Sequence, residues 1–129
     1  GQAQIEKNSV NYVNAHGTST QMNDRSECAA LKAVFGDRVN DVSVSSTKSC
    51  MGHLIAAAGA VEAAVCCLAI RDSTAPVNAN HQNPDPNCDV NLVIGESRAL
   101  EIRAALSNSL GFGGSNSSLV FLNPERGQL

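Results

Sequence analysis

The run "GHLIAAAGAVEAAVCCLAI", residues 52–70, carries one charge, Glu62, after its opening histidine. A helix that is apolar all the way round is either enclosed by protein or lies in a membrane. The alanines and glycines, the glutamate near the middle and the lack of other spanning runs assign this one to a protein interior. Its small side chains let neighbouring backbones come close. A helix enclosed on every side needs more protein than 129 residues supply, so the chain is expected to be a piece of something longer. The opening "GQAQIEKNSV", with no starting Met and no clear first element, carries the same expectation.

Around that helix the pattern is α/β. "NYVNAHG" reads as a short buried strand running into a loop. "NDRSECAALKAVFG" reads as a helix, with Asp24 and Glu27 in a capping arrangement, Cys28, Leu31, Val34 and Phe35 on one face, and Gly36 at its end. A second strand is expected over residues 42–46. Strand, helix and strand with tight joins indicate a layered α/β architecture. "STAPVNANHQNPDPNCD" holds three of the four prolines and is expected to be an extended connection. "VNLVIG" and "RAALSNS" are expected strands, "GFGGSN" a glycine-rich turn and "SSLVFL" the last strand.

At 43% hydrophobic and 16% charged residues, the chain can bury one ordinary core, and residues 1–129 are read as one domain. A net charge of -3 with no Lys/Arg run gives no footprint for nucleic acid or an anionic membrane. Five cysteines, an odd number without a CxxC pair, and no signal peptide point to a reducing, cytoplasmic setting. Cys66 and Cys67, about 100° apart on a helix, are expected to be small core residues.

The chemistry-bearing residues cluster after the strands. His16 follows the first, and "STKSCMGH" puts Lys48 and His53 between the second strand and the apolar helix, with His53 on that helix's first turn. A helix N-terminus disfavours an imidazolium, so His53 is expected to be neutral and able to donate a hydrogen bond. Two neutral imidazoles at the ends of adjacent strands, aimed at one cleft, can stabilise a developing oxyanion. The plainer alternative is a pair of unrelated loop or core histidines. Cys50 and His53 have CxxH spacing, but no second ligand pair accompanies them and His81 lies in the proline-rich segment, so no zinc is expected. "GFGGSN" lacks the third glycine of a dinucleotide fingerprint and opens no helix.

Three stretches in register, "NAHGTSTQMND", "SSTKSCMGHLIAAAGAVEA" and "SNSLGFGGSNSSLVF", resemble the C-terminal half of the β-ketoacyl-acyl carrier protein synthases of the elongating type. The similarity runs from about Asn11 to Leu122. It implies the thiolase-like fold, a layered α-β-α-β-α arrangement whose two similar halves pack their central helices together. The absent second half would then account for the over-apolar helix. It also implies a decarboxylating Claisen condensation of an acyl thioester with malonyl-carrier protein, in fatty-acid or related polyketide assembly.

By that resemblance His16 and His53 support decarboxylation, Lys48 orders the site and Glu62 is its structural partner. Glu62, about 180° around the helix from His53, is expected to be architectural. Thr18 and Thr20 would bond the phosphopantetheine arm. Phe112 would be a gate and an oxyanion-hole donor, with Gly111, Gly113 and Gly114 freeing its loop; the bland reading of that turn is a plain strand connection. No cofactor is implied beyond the carrier protein's phosphopantetheine. The implied partners are acyl carrier protein and an N-terminal half bearing the nucleophilic cysteine, in a homodimer or heterodimer.

Two departures stand out. Met51 replaces a usual threonine beside His53, and no cysteine here fills the nucleophile's place, Cys50 included. Condensation by this chain alone is not expected, and in isolation it should aggregate or order only partly. Two alternatives remain: a non-condensing partner subunit or malonyl-thioester decarboxylase half-protein, and a degradative thiolase. The second is disfavoured because thiolases need a cysteine where "SNSLGFGGSN" has none.

Overall fold

The computed structural model describes residues 3–125. In chain order these form β1 (Val10–Asn14), α1 (Gln21–Phe35), β2 (Ser43–Ser45), the short α2 (Lys48–Met51), α3 (Ala58–Arg71), β3 (Thr74–Ala75), β4 (Arg98–Ala99), β5 (Ala104–Leu110) and β6 (Asn116–Leu122). The main sheet has the order β2-β1-β5-β6. β1 runs parallel to both neighbours, and β6 returns antiparallel from β5 as a hairpin. β3 and β4 form a separate antiparallel ribbon.

β1 is the hub because all five of its residues are buried. Strand side chains alternate between faces, and each face of this sheet has its own core. Val13 packs with Leu31 and Phe35 of α1, while Tyr12 packs with Cys66, Ala69 and Ile70 of α3. A register slip between Val10 and Tyr12 lets Val10 join Val13 on the α1 side. The result is three layers, helix, sheet and helix, with α1 and α3 on opposite faces.

Several expectations need correction. α1 begins at Gln21, with Thr20 at its N-cap and no side-chain cap. Asp24 and Glu27 therefore lie inside the helix, and Glu27 turns to a different task described below. Val34, expected on the core face, is 53% exposed. The run at residues 52–70 is not one helix. Gly52, at φ 79°, ends α2, and α3 starts only at Ala58 after a 3₁₀ turn, Ile55–Ala57. His53 consequently lies between helices, not on a helix's first turn. "VNLVIG" makes only one bridge among the described residues, Leu92 beside Val44, where it laps the β2 edge; β3 and β4 lie outside the expected strands, β3 in the segment expected to be an extended connection.

α3 is enclosed on one side only. Ala58, Glu62, Cys66, Ala69 and Ile70 are buried, whereas Ala57, Ala60, Ala64, Cys67 and Leu68 form an exposed apolar stripe. Cys67 is thus not a core residue of this chain. Ile55, 76% exposed, extends the bare surface beyond the start of α3. Among the described residues, no helix is long and apolar enough to cross a membrane.

Candidate active site

The three parallel strands bring their carboxyl ends to one edge, with Asn14 beside Ser45 on one side and Ser107 on the other. Loops at this edge of an α/β sheet are where such folds place ligands. The loop after β1 carries His16, the segment after β2 carries Lys48 and His53, and the hairpin after β5 carries Phe112.

His16 and His53 meet edge to face, with ring centroids 5.7 Å apart and planes at 87°. His16 is buried. Burial, then the Lys48 charge, hold its imidazole below the ordinary histidine range, outweighing Glu27 and Glu62. Its Nδ1 is buried without a hydrogen-bond partner among the described residues. Orphaned buried polar atoms are rare enough to mark a site. His53 is exposed, and its Nδ1 accepts the Ile55 N–H at 3.0 Å. An imidazole that accepts at Nδ1 carries its proton on Nε2, so the other nitrogen is a donor. The turn that arranges this is strained: Ile55 is β-branched yet has φ 51°. A local turn, in place of the expected helix N-terminus, thus sets the orientation of His53.

Lys48 is buried on α2 and pairs with Glu62 of α3, whose side chain is 2% exposed. The pair joins two helices beneath the histidines. The angular reasoning that separated Glu62 from His53 does not apply, because His53 is not on α3. Glu62 lies close enough to act on His16 electrostatically.

The residue that sequence reasoning missed is Glu27. Its carboxylate accepts the backbone N–H groups of His16 and Gly17, both at 2.9 Å, and the Asn108 amide of β5 at 3.1 Å. One buried side chain from α1 therefore fixes the His16 loop and ties it to β5. Asn14 does similar work for β2, its amide donating to the Thr47 hydroxyl at 3.1 Å. Gly17 is required where it stands: φ is 41°, and an added Cβ would lie 2.5 Å from the Ser46 Cβ. Asparagines within buried strands, Asn14 and Asn108, were the available signal.

Thr18 and Thr20 follow His16, their hydroxyls 3.3 Å apart and Thr20 exposed. Phe112 is fully exposed at the hairpin tip. Gly113 and Gly114 take φ values of 72° and 81°, and Gly111 passes so close to the Ser115 carbonyl that a Cβ would come within 2.8 Å of it. Cys50 is exposed, near the Val77 carbonyl and the Ser49 hydroxyl. Among the described residues no group of three or more histidine, cysteine, aspartate or glutamate side chains could hold a metal ion. A groove of about 840 Å³ is lined by His81 and the proline-rich connection and includes neither His16 nor His53.

Residues 1–82 match the family described as "Beta-ketoacyl synthase, C-terminal domain". A curated relative, the 3-oxoacyl-[acyl-carrier-protein] synthase 2 of Coxiella burnetii, is 50% identical over 118 residues, covering 92% of this chain and 28% of that protein. Among solved structures, a type II PKS ketosynthase bound to a hexaketide, in complex with its acyl-carrier protein, aligns with a TM-score of 0.90 at 39% identity. The alignment covers 93% of this chain and 29% of that one. A β-ketoacyl synthase from Burkholderia phymatum STM815 gives a TM-score of 0.86 at 37% identity, over 93% of this chain and 29% of that one. The chain spans less than a third of the length of the curated relatives it matches.

Proposed function

Because the chain belongs to the β-ketoacyl synthase family and has the fold of its ketosynthases, we propose that it is the histidine-bearing part of a 3-oxoacyl-[acyl-carrier-protein] synthase. Residues 1–129 would then be one domain of a longer chain. The reading rests above all on one observation: two imidazoles in edge contact beyond the carboxyl ends of adjacent parallel strands, one held below the ordinary histidine range by burial and Lys48.

In this reading a malonyl thioester, carried on the phosphopantetheine of acyl carrier protein, places its thioester carbonyl oxygen at the two histidines. Departure of carbon dioxide leaves an electron pair that delocalises onto that oxygen as an enolate. Imidazole N–H groups held in place meet the developing charge without reorganising, which is where such donors are most effective. The carbanion attacks an acyl thioester on a cysteine supplied by the N-terminal half. The tetrahedral oxyanion is held by backbone N–H groups, Phe112's among them, and collapses to expel the cysteine thiolate. The 3-oxoacyl product stays on the carrier.

Thr18 and Thr20 bond the phosphopantetheine arm. Phe112 acts as a gate on the freedom of Gly111, Gly113 and Gly114. Lys48 orders the site with Glu62 behind it. No cofactor beyond the carrier's arm is needed. The complete enzyme is a dimer, of like or unlike chains. A cytoplasmic setting belongs to the same proposal and draws support from five unpaired cysteines.

The test is product analysis with the full-length protein. Given acyl- and malonyl-carrier protein, it should release carbon dioxide and form the 3-oxoacyl-carrier product, and His53→Ala should remove that product. Cleavage of 3-oxoacyl coenzyme A esters without condensation would assign the chain to the thiolytic branch instead.

A further inference from the structure

Outside the histidine site, one pair of nucleophilic side chains is held together with no task in the condensation. Cys28 of α1 and Cys88 of the 3₁₀ turn Pro86–Cys88 are neighbours across the gap between these two elements. Both line a small cavity of about 80 Å³ between α1 and the end of the proline-rich connection, and Glu27 lines it too. Their closeness is enforced independently. Arg25, three residues before Cys28, holds Asp85, three residues before Cys88, at 3.2 Å. Asp85 also caps the turn, accepting the Asn87 N–H at 2.9 Å. An ion pair and a thiol pair thus sit side by side as two rungs between the same two elements.

We propose that Cys28 and Cys88 are a redox modification site, closed by hydrogen peroxide into a reversible disulfide that pins the proline-rich connection to α1 beside the Glu27 clamp on His16. The two thiols are unequal in the way such a site requires. Cys88 is half-buried and meets the oxidant. Cys28 is buried, and desolvation followed by its Cys88 neighbour pushes its thiol up to about 12, so it stays protonated and waits as the resolving partner.

The chemistry balances. The Cys88 sulfur attacks one peroxide oxygen, the O–O bond breaks, and Cys88 becomes a sulfenic acid as one water leaves. The Cys28 sulfur then attacks the Cys88 sulfur, forming the S–S bond. The sulfenic oxygen departs with the Cys28 proton as a second water. Two thiols are oxidised by two electrons in all, and one peroxide is reduced to two waters. In a reducing compartment such a bond is transient, which suits a sensor more than a structural staple.

The experiment treats the native full-length protein with hydrogen peroxide, alkylates the remaining thiols and digests with trypsin. Cys28 falls alone on residues 26–32 and Cys88 alone on residues 72–98. The expected result is a linked pair of these peptides, two hydrogens lighter than their sum, which dithiothreitol removes. The unfolding midpoint should rise on oxidation and return on reduction, and Cys88→Ser should show neither change. Full alkylation of both cysteines after peroxide, separate oxidation of each to sulfinic acid, or an unchanged midpoint shift in Cys88→Ser would each overturn the assignment.

Discussion

At the scale of single residues, position is enforced by buried polar side chains more than by packing. Glu27 accepts three hydrogen bonds that together fix the loop carrying His16. Glu27→Ala leaves two backbone N–H groups without an acceptor, a cost of about 2–4 kcal/mol. Glu27→Gln keeps one acceptor oxygen and should lose less. Denaturant unfolding of the full-length protein separates the two, and equal stability of wild type and Glu27→Ala would contradict the clamp. His16 makes a pH prediction. Its folded-state pKa lies below the unfolded value of about 6.5. The unfolded chain therefore binds the proton first as pH falls. The contribution of His16 to stability is full above about pH 6.5 and is lost on acidification below it. Thermal unfolding across pH 7.5 to 5 should show a fall that is smaller in His16→Asn, and an identical fall in both proteins would remove His16 as its source.

At the scale of elements, the Lys48–Glu62 pair decides how α2 and α3 meet. Breaking a buried ion pair from one side leaves an uncompensated charge and costs about 3–5 kcal/mol. Lys48→Met should therefore destabilise strongly, while Lys48→Met combined with Glu62→Gln should recover most of the loss. Additive losses in the double variant, measured by the same unfolding assay, would show that the two charges do not compensate each other. The layered α/β order and the positions of β1, β5 and β6 were legible in the sequence because apolar runs between turn residues carry them. The histidine positions were legible from two of the three spaced motifs, each following a strand of the parallel sheet. The late start of α3 was not, because residues 54–57 are as apolar as a continuous helix would need; only the φ 51° turn at Ile55 reveals it. Glu27 was misread because a glutamate three residues after an aspartate looks like a local cap, whereas its partners here lie in two other segments.

At the scale of the whole molecule, the chain exposes apolar surface of the kind that a neighbour covers. The stripe on α3, with Leu68 at 46% and Ile55 at 76% exposure, and the fully exposed Phe112 are apolar surfaces in search of a neighbour. In isolation this chain should bind hydrophobic dye and sediment as aggregates, and co-expression with the proposed N-terminal half should abolish both. A monomer with a sharp, cooperative thermal transition would contradict that expectation.

The central claim is that His16 and His53 serve decarboxylation while another part of the protein carries the acyl group. Single-turnover kinetics of the full-length protein measures it most directly, following carbon dioxide release from malonyl-carrier protein and acyl loading of the cysteine separately. The account predicts that His16→Ala and His53→Ala each slow carbon dioxide release by about 100-fold or more, the usual scale for losing an oxyanion donor, while loading stays near wild type. Equal loss of both steps, or unchanged carbon dioxide release, would contradict it.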